Sequence, residues 1–315
     1  MADSWQESLE RVDALRELDD ETVVPASATQ ALLHDGPTTQ VALLLHGFTN
    51  SPAQWREVST AYYAAGYNVL VPRVPFHGLK DPLNREMSQL TPKVLAEFTD
   101  RAVDAAAGLG GRLRVAGLSL GGLLAAYAAR NRNEVAEAVL IAPFFQPNAI
   151  PEWVDAPFDA AMRALPDVYS WWNPAKHEAE VRGTWAYPKF SLKAIAAMIG
   201  LRRQLANDPP GRDNRAERVL LVVNDHDIAV RNDVARKLTD ELFRDLAEEV
   251  DTAVLEDSLC LTHDVVEPNG DNRDRMDVAR EHLWPLLGLT PPPAGTPNSP
   301  IPGGGYFSAE GDAGS

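Results

Sequence analysis

A serine between two glycines, at the junction of an apolar run and a helical stretch, constrains the fold of this chain more than any other feature. The pentapeptide Gly117-Leu118-Ser119-Leu120-Gly121 follows the apolar run 113–117 and opens an Ala/Leu-rich stretch that continues to residue 132. A serine on so sharp a turn is strained, and the residues two positions away must lack a Cβ atom to avoid a collision. The pentapeptide alone arises by chance in roughly one in twenty such chains. Its setting between strand and helix predicts a nucleophile elbow.

The rest of the chain alternates short apolar runs with longer stretches of helical spacing. Strands are predicted at 41–45, 67–71, 113–117, 138–142, 219–223 and 252–255, and helices at 52–66, 91–107, 120–132 and 234–246. Several of the runs are apolar at every position, which is typical of strands covered on both faces of a parallel sheet. We therefore predict an α/β fold with a mostly parallel central sheet and flanking helices.

One interval, between residues 142 and 219, interrupts this alternation. It contains no convincing strand, and its many aromatic residues are joined by proline turns. We interpret residues 143–215 as a helical cap over the end of the sheet; the alternative is an extra helical layer packed on its side. Six aromatic residues of the interval are predicted to line a substrate pocket: Phe144, Phe145, Trp153, Trp171, Trp172 and Trp185.

The limits of the core follow from these assignments. The core is predicted to comprise residues 36–142 and 216–290, preceded by an N-terminal extension at 1–35. In residues 291–315, proline and glycine fill 12 of 25 positions. Such a composition buries too little apolar surface to offset the entropy of ordering, so we expect a disordered tail outside the fold.

Charge and cysteine content exclude several classes of function. The net charge of −16 argues against a nucleic-acid partner. A single cysteine, Cys260, rules out an internal disulfide framework and indicates a reducing compartment. The first residues lack the basic start and apolar stretch of a secretion signal, and no apolar run reaches the ~18 residues of a membrane span. We expect a cytoplasmic protein with no stable membrane anchor.

A serine nucleophile requires a base. Among the seven histidines, His263 follows the predicted strand 252–255 through a loop, which is where a parallel sheet places functional residues. His226 also follows a strand, but it lies inside an acidic loop. The other histidines are interpreted as surface residues or as loop residues too early in the chain: His34, His46, His77, His177 and His282.

The base requires a carboxylate to orient it. The loop after the predicted strand 219–223 offers Asp225 and Asp227. We favour Asp227, because Val230 three residues later can anchor the loop beneath the sheet edge. Asp264, directly after the base, is interpreted as a loop cap.

The reaction also needs two backbone donors for a developing oxyanion, each worth roughly 3 kcal/mol. One donor is expected to be the N–H of Leu120, directly after the serine. The other is expected to be the N–H of Phe48, in the loop after the strand 41–45, where Gly47 permits a tight turn and His46 braces the loop. The alternative is a glycine turn without a catalytic role.

Taken together, these motifs resemble the α/β-hydrolase superfamily. HGFTNSP (46–52), GLSLG, NDHDIAV and LTHDVV occur in the order of that family, and the resemblance spans residues 41–289. Within the superfamily, the chain looks most like bacterial carboxylesterases and monoacylglycerol-lipase-like enzymes with a small helical cap. VPRVPFHGLKDP (71–82) is similar to their proline-rich loop ending in Gly-His-Gly, with Phe76 in place of the first glycine, and AYPKF (186–190) looks like one of their cap segments.

The resemblance implies a reaction and the residues that carry it out. Ser119 is the implied nucleophile, His263 the base and then the acid, and Asp227 its orienting carboxylate, with no metal and no cofactor. The implied substrates are short- to medium-chain acyl esters or monoacylglycerols, cleaved through an acyl-enzyme. An alternative is an amidase or aminopeptidase with an acidic pocket for a free amine, formed by Glu152, Asp155, Asp159 or Glu178. Another is a ligand-binding protein that keeps the fold without turnover.

Overall fold

The computed structural model of this chain describes residues 4–172 and 186–299. Its centre is a seven-stranded sheet in the order β1-β3-β2-β4-β5-β8-β9, and a separate pair is formed by β6 and β7. The sheet is parallel except at β1, which runs antiparallel to β3. The strands are β1 (Gln30–Leu32), β2 (Thr38–Leu45), β3 (Asn68–Val71), β4 (Gly110–Leu118), β5 (Val135–Ile141), β6 (Tyr169–Trp171), β7 (Lys189–Ser191), β8 (Ala216–Asn224) and β9 (Ala247–Leu255).

Helices flank this sheet. They are α1 (Trp5–Arg16), α2 (Arg56–Ala64), α3 (Pro92–Ala107), α4 (Leu120–Asn131), α5 (Asp155–Ala164), α6 (Leu192–Asn207), α7 (Asn232–Phe243) and α8 (Met276–Leu283). The predicted fold class, a mostly parallel sheet with flanking helices, is confirmed. Within the described residues, no helix combines the length and the apolar character that crossing a bilayer requires.

The parallel order brings the carboxyl ends of the central strands to one edge. Leu45 at the end of β2 is paired with Gly117 near the end of β4, and Asn224 of β8 is paired with Leu255 of β9. The loops that follow β2, β4, β8 and β9 therefore meet at the same edge of the sheet. These loops carry the predicted nucleophile, base, orienting carboxylate and oxyanion donors.

The interval predicted as a helical cap contains strands as well as helices. The prediction of no strand there is wrong, because β6 and β7 form an antiparallel pair in which Tyr169 lies opposite Ser191. Strands of this length are stabilised by their partner and carry no recognisable apolar period. Helix α6 is largely buried and packs against α5 as well as against α3 and α4.

The N-terminal extension expected at 1–35 is integrated into the fold. Helix α1 begins with a capping box between Ser4 and Glu7, buries Val12 and Leu15, and packs against α3. Strand β1 then extends the sheet beside β3. The boundary expected at residue 36 therefore does not separate an independent segment from the core.

The C-terminal segment is bonded to the core beyond residue 291, where the sequence predicts the start of a disordered tail. Arg280 on α8 forms a buried ion pair with Glu57 on α2, at 2.8 Å, and donates a hydrogen bond to the Thr296 carbonyl. The backbone N–H of Ser299 donates to Glu57 at 2.7 Å, and Asn298 donates to the Pro268 carbonyl. Residues 291–299 are thus hydrogen bonded to the core, through specific contacts that composition does not reveal. Residues 300–315 lie outside the described residues.

Candidate active site

Ser119 occupies the strained turn between β4 and α4 that the glycine pattern predicts. Its backbone has φ 57° and ψ −114°, which is unusual for a residue with a side chain. A Cβ atom on Gly117 would lie 2.0 Å from the carbonyl oxygen of Gly121, and one on Gly121 would lie 1.9 Å from that of Leu45. Both positions therefore require glycine. The Ser119 N–H donates to the Ile141 carbonyl at 2.9 Å, which holds the turn against β5.

Asp227 and His263 are in direct contact. Nδ1 of His263 donates to Oδ2 of Asp227 at 2.5 Å, and Oδ1 of Asp227 accepts from the Ala229 N–H at 2.7 Å. The Asp227 side chain is completely buried. Asp225, by contrast, faces Arg236 at 3.6 Å and is partly exposed. The structure therefore pairs His263 with Asp227, and not with Asp225.

This pairing determines the chemistry of the His263 ring. Burial alone would lower the pKa of His263, but the hydrogen bond and charge of Asp227, together with the charge of Asp264, raise it above its ordinary value. Because Nδ1 carries the proton that Asp227 accepts, Nε2 is left free to act as a base. The same carboxylate stabilises the imidazolium that forms when Nε2 takes up a proton.

Ser119, Asp227 and His263 all lie at the carboxyl edge of the sheet, after β4, β8 and β9. Among these described residues, the hydrogen bond between Asp227 and His263 is formed, whereas none joins the Ser119 hydroxyl to His263. Hydrogen bonds between a nucleophile and its base are often long before substrate binds.

The loop after β2 holds the peptide between Gly47 and Phe48 in one orientation. The Gly47 carbonyl accepts from Nδ1 of His46 at 2.9 Å and from the Asn50 N–H at 3.2 Å. In a trans peptide the N–H points opposite to the carbonyl, so the Phe48 N–H is directed away from both donors. The Leu120 N–H lies in the first turn of α4, where amides lack a partner within the helix.

His46 braces this loop in its neutral form. Nε2 of His46 accepts from the Val74 N–H at 3.0 Å, so the ring proton must lie on Nδ1, facing the Gly47 carbonyl. Burial, and then the neighbouring His77, hold the pKa of His46 well below its ordinary value. The ring therefore links the loop after β2 to the loop after β3 without titrating near neutral pH.

Aromatic side chains surround Phe48. Its ring meets His77, Trp172 and Phe190 edge-on, at centroid distances of 5.8, 6.3 and 6.4 Å. Trp172 also donates through Nε1 to the Thr49 hydroxyl at 3.1 Å, so the pair β6–β7 is attached to the loop after β2. These rings form an aromatic cluster around the Phe48 side chain.

The six residues predicted to line a pocket lie in different surroundings. Trp172 contacts the Phe48 ring, whereas Trp153 is 81% exposed, which contradicts its assignment to a pocket. Trp153 lies on the surface, in the turn before α5. Phe144 and Phe145 are buried in the hydrophobic core, Trp171 is half-buried on β6, and Trp185 lies outside the described residues.

Two neighbours of Phe48 were not predicted for the pocket, although both lie in segments that the sequence singled out. Phe190 belongs to AYPKF, and His77 belongs to the loop that resembles Gly-His-Gly. His77 is fully buried, and burial lowers its pKa to about 4, so it remains neutral. Its Nδ1 lies 2.9 Å from the Pro75 carbonyl.

The remaining histidines lie elsewhere. His226 contacts Asp257 at 2.8 Å on the surface, and His34 stacks on Tyr63 at a centroid distance of 4.3 Å. His282 lies on α8, and His177 lies outside the described residues. Within the described ranges, no group of three or more His, Cys, Asp or Glu residues is arranged to hold a metal ion.

Comparison with known proteins identifies related sequences. A family model described as "Alpha/beta hydrolase family" matches residues 42–293. The thermostable monoacylglycerol lipase of Bacillus sp. (strain H-257) is 33% identical over 105 residues, which make up 31% of this chain. The match spans 38% of the length of that relative.

Solved structures share the fold at low sequence identity. The monoacylglycerol lipase of Paleococcus ferrophilus has a TM-score of 0.54 at 16% identity, over 81% of this chain and 97% of the other. A monoglyceride lipase variant from Saccharomyces cerevisiae, in complex with a substrate analogue, has a TM-score of 0.55 at 13% identity, over 83% and 92%. A structure of metagenome-derived lipolytic enzymes has a TM-score of 0.60 at 22% identity, over 84% and 99%. At these identities the likeness is one of fold.

Proposed function

This chain belongs to the alpha/beta hydrolase family, and from that premise we propose that it hydrolyses carboxylic esters through an acyl-enzyme on Ser119. The observation that carries the proposal is the hydrogen bond between the buried Asp227 carboxylate and the partly exposed His263 ring, at the sheet edge where Ser119 occupies a strained turn. A carboxylate that fixes the tautomer of a histidine, at the same sheet edge as a serine on a strained turn, is the arrangement that activates an alcohol near neutral pH.

Acylation begins when the Ser119 hydroxyl attacks the carbonyl carbon of the ester. Nε2 of His263 takes the hydroxyl proton as the Ser119 Oγ–C bond forms, and the carbonyl π electrons move onto oxygen. The N–H groups of Phe48 and Leu120 donate to this oxyanion. When the tetrahedral intermediate collapses, the bond to the alkoxy group breaks, and the His263 imidazolium gives its proton to the leaving alcohol.

Deacylation repeats these steps with water. His263 takes a proton from a water molecule as its oxygen attacks the acyl carbon, and the same backbone donors hold the oxyanion. The bond between the acyl carbon and Ser119 Oγ then breaks, and His263 returns the proton to the serine. The carboxylic acid leaves, and the enzyme regains its initial protonation state.

The proposed substrates are short- to medium-chain acyl esters or monoacylglycerols. The rings of Trp172 and Phe190 beside Phe48 supply an apolar surface that suits an acyl chain. The relative that matches over 105 residues and two structures of the same fold are described as monoacylglycerol or monoglyceride lipases, which supports the same class.

The amidase alternative is less well supported. The acidic residues considered for an amine pocket are paired with arginines: Asp155 with Arg202, Asp159 with Arg203 at 3.8 Å, and Glu152 with Arg231 at 3.7 Å. Glu178 lies outside the described residues. An ion-paired carboxylate has less attraction left for a substrate amine.

The test is a chain-length series of p-nitrophenyl esters and monoacylglycerols, measured alongside matched anilides. We expect ester turnover that is abolished in Ser119→Ala, and a KM for longer acyl chains that rises in Trp172→Ala but not in Trp153→Ala. Comparable or faster turnover of the anilides would reject the ester assignment. Turnover that persists in Ser119→Ala would reject the proposed nucleophile.

A further inference from the structure

The loop that carries His263 is tied to the loop that carries Phe48 through side chains that the proposed reaction leaves unassigned. Oδ2 of Asp264 accepts from Nε2 of Gln54 at 2.7 Å and from Nδ2 of Asn50 at 3.2 Å. Oε1 of Gln54 accepts from the Gly47 N–H at 2.8 Å. A continuous chain of hydrogen bonds therefore runs from Asp264 to the residue before Phe48.

The direction of this chain is determined by chemistry. The Gly47 N–H can only donate, so the Gln54 atom that faces it must be the carbonyl oxygen. The Gln54 NH₂ is then left for an acceptor, which the Asp264 carboxylate provides. Gln54 is 2% exposed, so water has little access to replace either partner.

Asp264 is itself held rigidly. Its Oδ1 accepts from the N–H groups of Val266 at 3.2 Å and Glu267 at 3.0 Å, as expected for the predicted loop cap. The Asn272 side chain donates to the Asp264 carbonyl at 2.7 Å. The carboxylate thus provides Gln54 with a fixed point of attachment.

Gly47 needs such an attachment because its own backbone is the most flexible of any residue type. A Cβ atom there would make only ordinary contacts, 3.5 Å from the Gln54 amide and 3.6 Å from the Leu118 carbonyl, so packing alone does not immobilise it. Gln54 holds the Gly47 N–H, while His46 and Asn50 hold the Gly47 carbonyl. The peptide groups on both sides of Gly47 are therefore restrained.

We propose that Asp264, acting through Gln54, is a positioning residue that keeps the Phe48 N–H directed at the oxyanion. This inference rests on the proposed function, because it takes Phe48 to be an oxyanion donor. A donor already aligned in the ground state stabilises the transition state without reorganisation. Loss of the alignment should therefore lower kcat and leave KM nearly unchanged.

The first experiment removes the attachment with Gln54→Leu. Removal of one oxyanion donor lowers kcat by about 10²- to 10³-fold, and misalignment should cost about 10-fold or more. The matched control is Asn68→Leu, because Asn68 is a buried amide that bonds backbone groups at the opposite edge of the sheet. We expect both variants to lose stability but only Gln54→Leu to lose kcat. A kcat within about twofold of wild type in Gln54→Leu, or an equal loss in both variants, would overturn the proposal.

The second experiment tests Asp264 by exchanging donor and acceptor. Gln54→Glu places a carboxylate opposite Asp264 and should lower kcat, whereas the double variant Gln54→Glu/Asp264→Asn restores a donor–acceptor pair. Both are made in an Asn50→Ala background, because Asn50 donates to the same oxygen of Asp264 and would face the new amide group. They are measured on the alkaline plateau, where His263 is neutral, so that a change in its pKa does not enter. Recovery to within about threefold of the Asn50→Ala parent is expected. A double variant no better than the single one would contradict the role of Asp264.

A third measurement needs no substrate. Hydrogen exchange of a peptide spanning residues 46–55 should be faster in Gln54→Leu than in wild type and Asn68→Leu, because the Gly47 N–H loses its acceptor. Unchanged exchange would overturn the attachment itself. If wild type cleaves no esters, the proposed function fails, and this measurement still decides whether Gln54 restrains the loop.

Discussion

The Asp227 carboxylate and the His263 ring share a hydrogen bond of 2.5 Å across the ends of β8 and β9. Asp227 is held on its other oxygen by the Ala229 N–H, and its side chain is closed off from solvent. The carboxylate therefore acts on His263 in a region where charge is poorly screened.

The first prediction concerns the choice between the two acidic residues of that loop. Asp227→Asn should lower kcat for ester hydrolysis by about 10³- to 10⁴-fold, because an amide stabilises neither the required tautomer nor the imidazolium. Asp225→Asn is the control, since Asp225 faces Arg236 instead. Steady-state kinetics of both variants decide the matter, and equal losses would contradict the assignment.

The second prediction concerns the acid limb of the pH–rate profile. His263 must be neutral to act as a base. Burial lowers its pKa, but Asp227 and Asp264 raise it by more, so that the pKa lies above the ordinary 6.5. We therefore expect kcat/KM to fall as pH decreases, with an apparent pKa above 6.5 in wild type. Asp264→Asn removes one of the raising charges and should move this limb to lower pH. A limb at or below the ordinary value in wild type would contradict the account.

The third prediction concerns Glu267, which is buried four residues after His263 and has one oxygen without a hydrogen bond. Burial, and then the charge of Asp264, raise its pKa to about 8. The unfolded chain releases this proton at a lower pH, so the contribution of Glu267 to stability should be complete below about pH 4.5 and should be lost as pH rises towards about 8.

Glu267→Gln removes this ionisation. Its melting temperature should exceed that of wild type above about pH 8 and approach the wild-type value near pH 5. Glu248→Gln, an exposed position on β9, serves as the control and should show no such pH dependence. An advantage of Glu267→Gln that is independent of pH would show that ionisation is not its cause.

The fourth prediction concerns the C-terminal segment. Truncation after residue 290 removes the hydrogen bonds that Thr296, Asn298 and Ser299 make with Arg280, Pro268 and Glu57. At about 1 kcal/mol for each hydrogen bond, the melting temperature should fall by roughly 5–10 °C. Truncation after Ser299 keeps these contacts and should lower the melting temperature less than truncation after residue 290. Equal effects of the two truncations would contradict the attachment of 291–299.

Much of the core was accessible from the sequence because continuous apolar runs describe buried parallel strands well. The predicted runs at 41–45 and 219–223 fall within β2 and β8, which are buried at those positions. Ser119 was accessible for a similar reason, since only glycine fits on either side of its turn. The sequence favours Asp227 over Asp225 because Val230, three residues later, can anchor the loop, and Val230 is buried in the structure.

Other features depend on contacts that no local pattern encodes. Strands β1, β6 and β7 are three residues long and exist because a distant segment pairs with them. Residues 291–299 are ordered by the buried Glu57–Arg280 pair, whose members lie far apart in the chain. Trp153 and Phe190 are both aromatic residues of the same interval, and the sequence does not distinguish them. In the fold, Trp153 is exposed and Phe190 packs beside Phe48. The capping box of α1, by contrast, is encoded locally by Ser4 and Glu7.

The most direct test of the account is covalent labelling with a fluorophosphonate, followed by mass spectrometry of the peptides. The account predicts a single adduct on Ser119, slowed strongly in His263→Ala and absent in Ser119→Ala. The Asn68→Leu variant, altered at the opposite edge of the sheet, should label as fast as wild type. An unlabelled wild-type protein, or an adduct on another residue that persists in Ser119→Ala, would contradict the claim that Ser119 is the nucleophile.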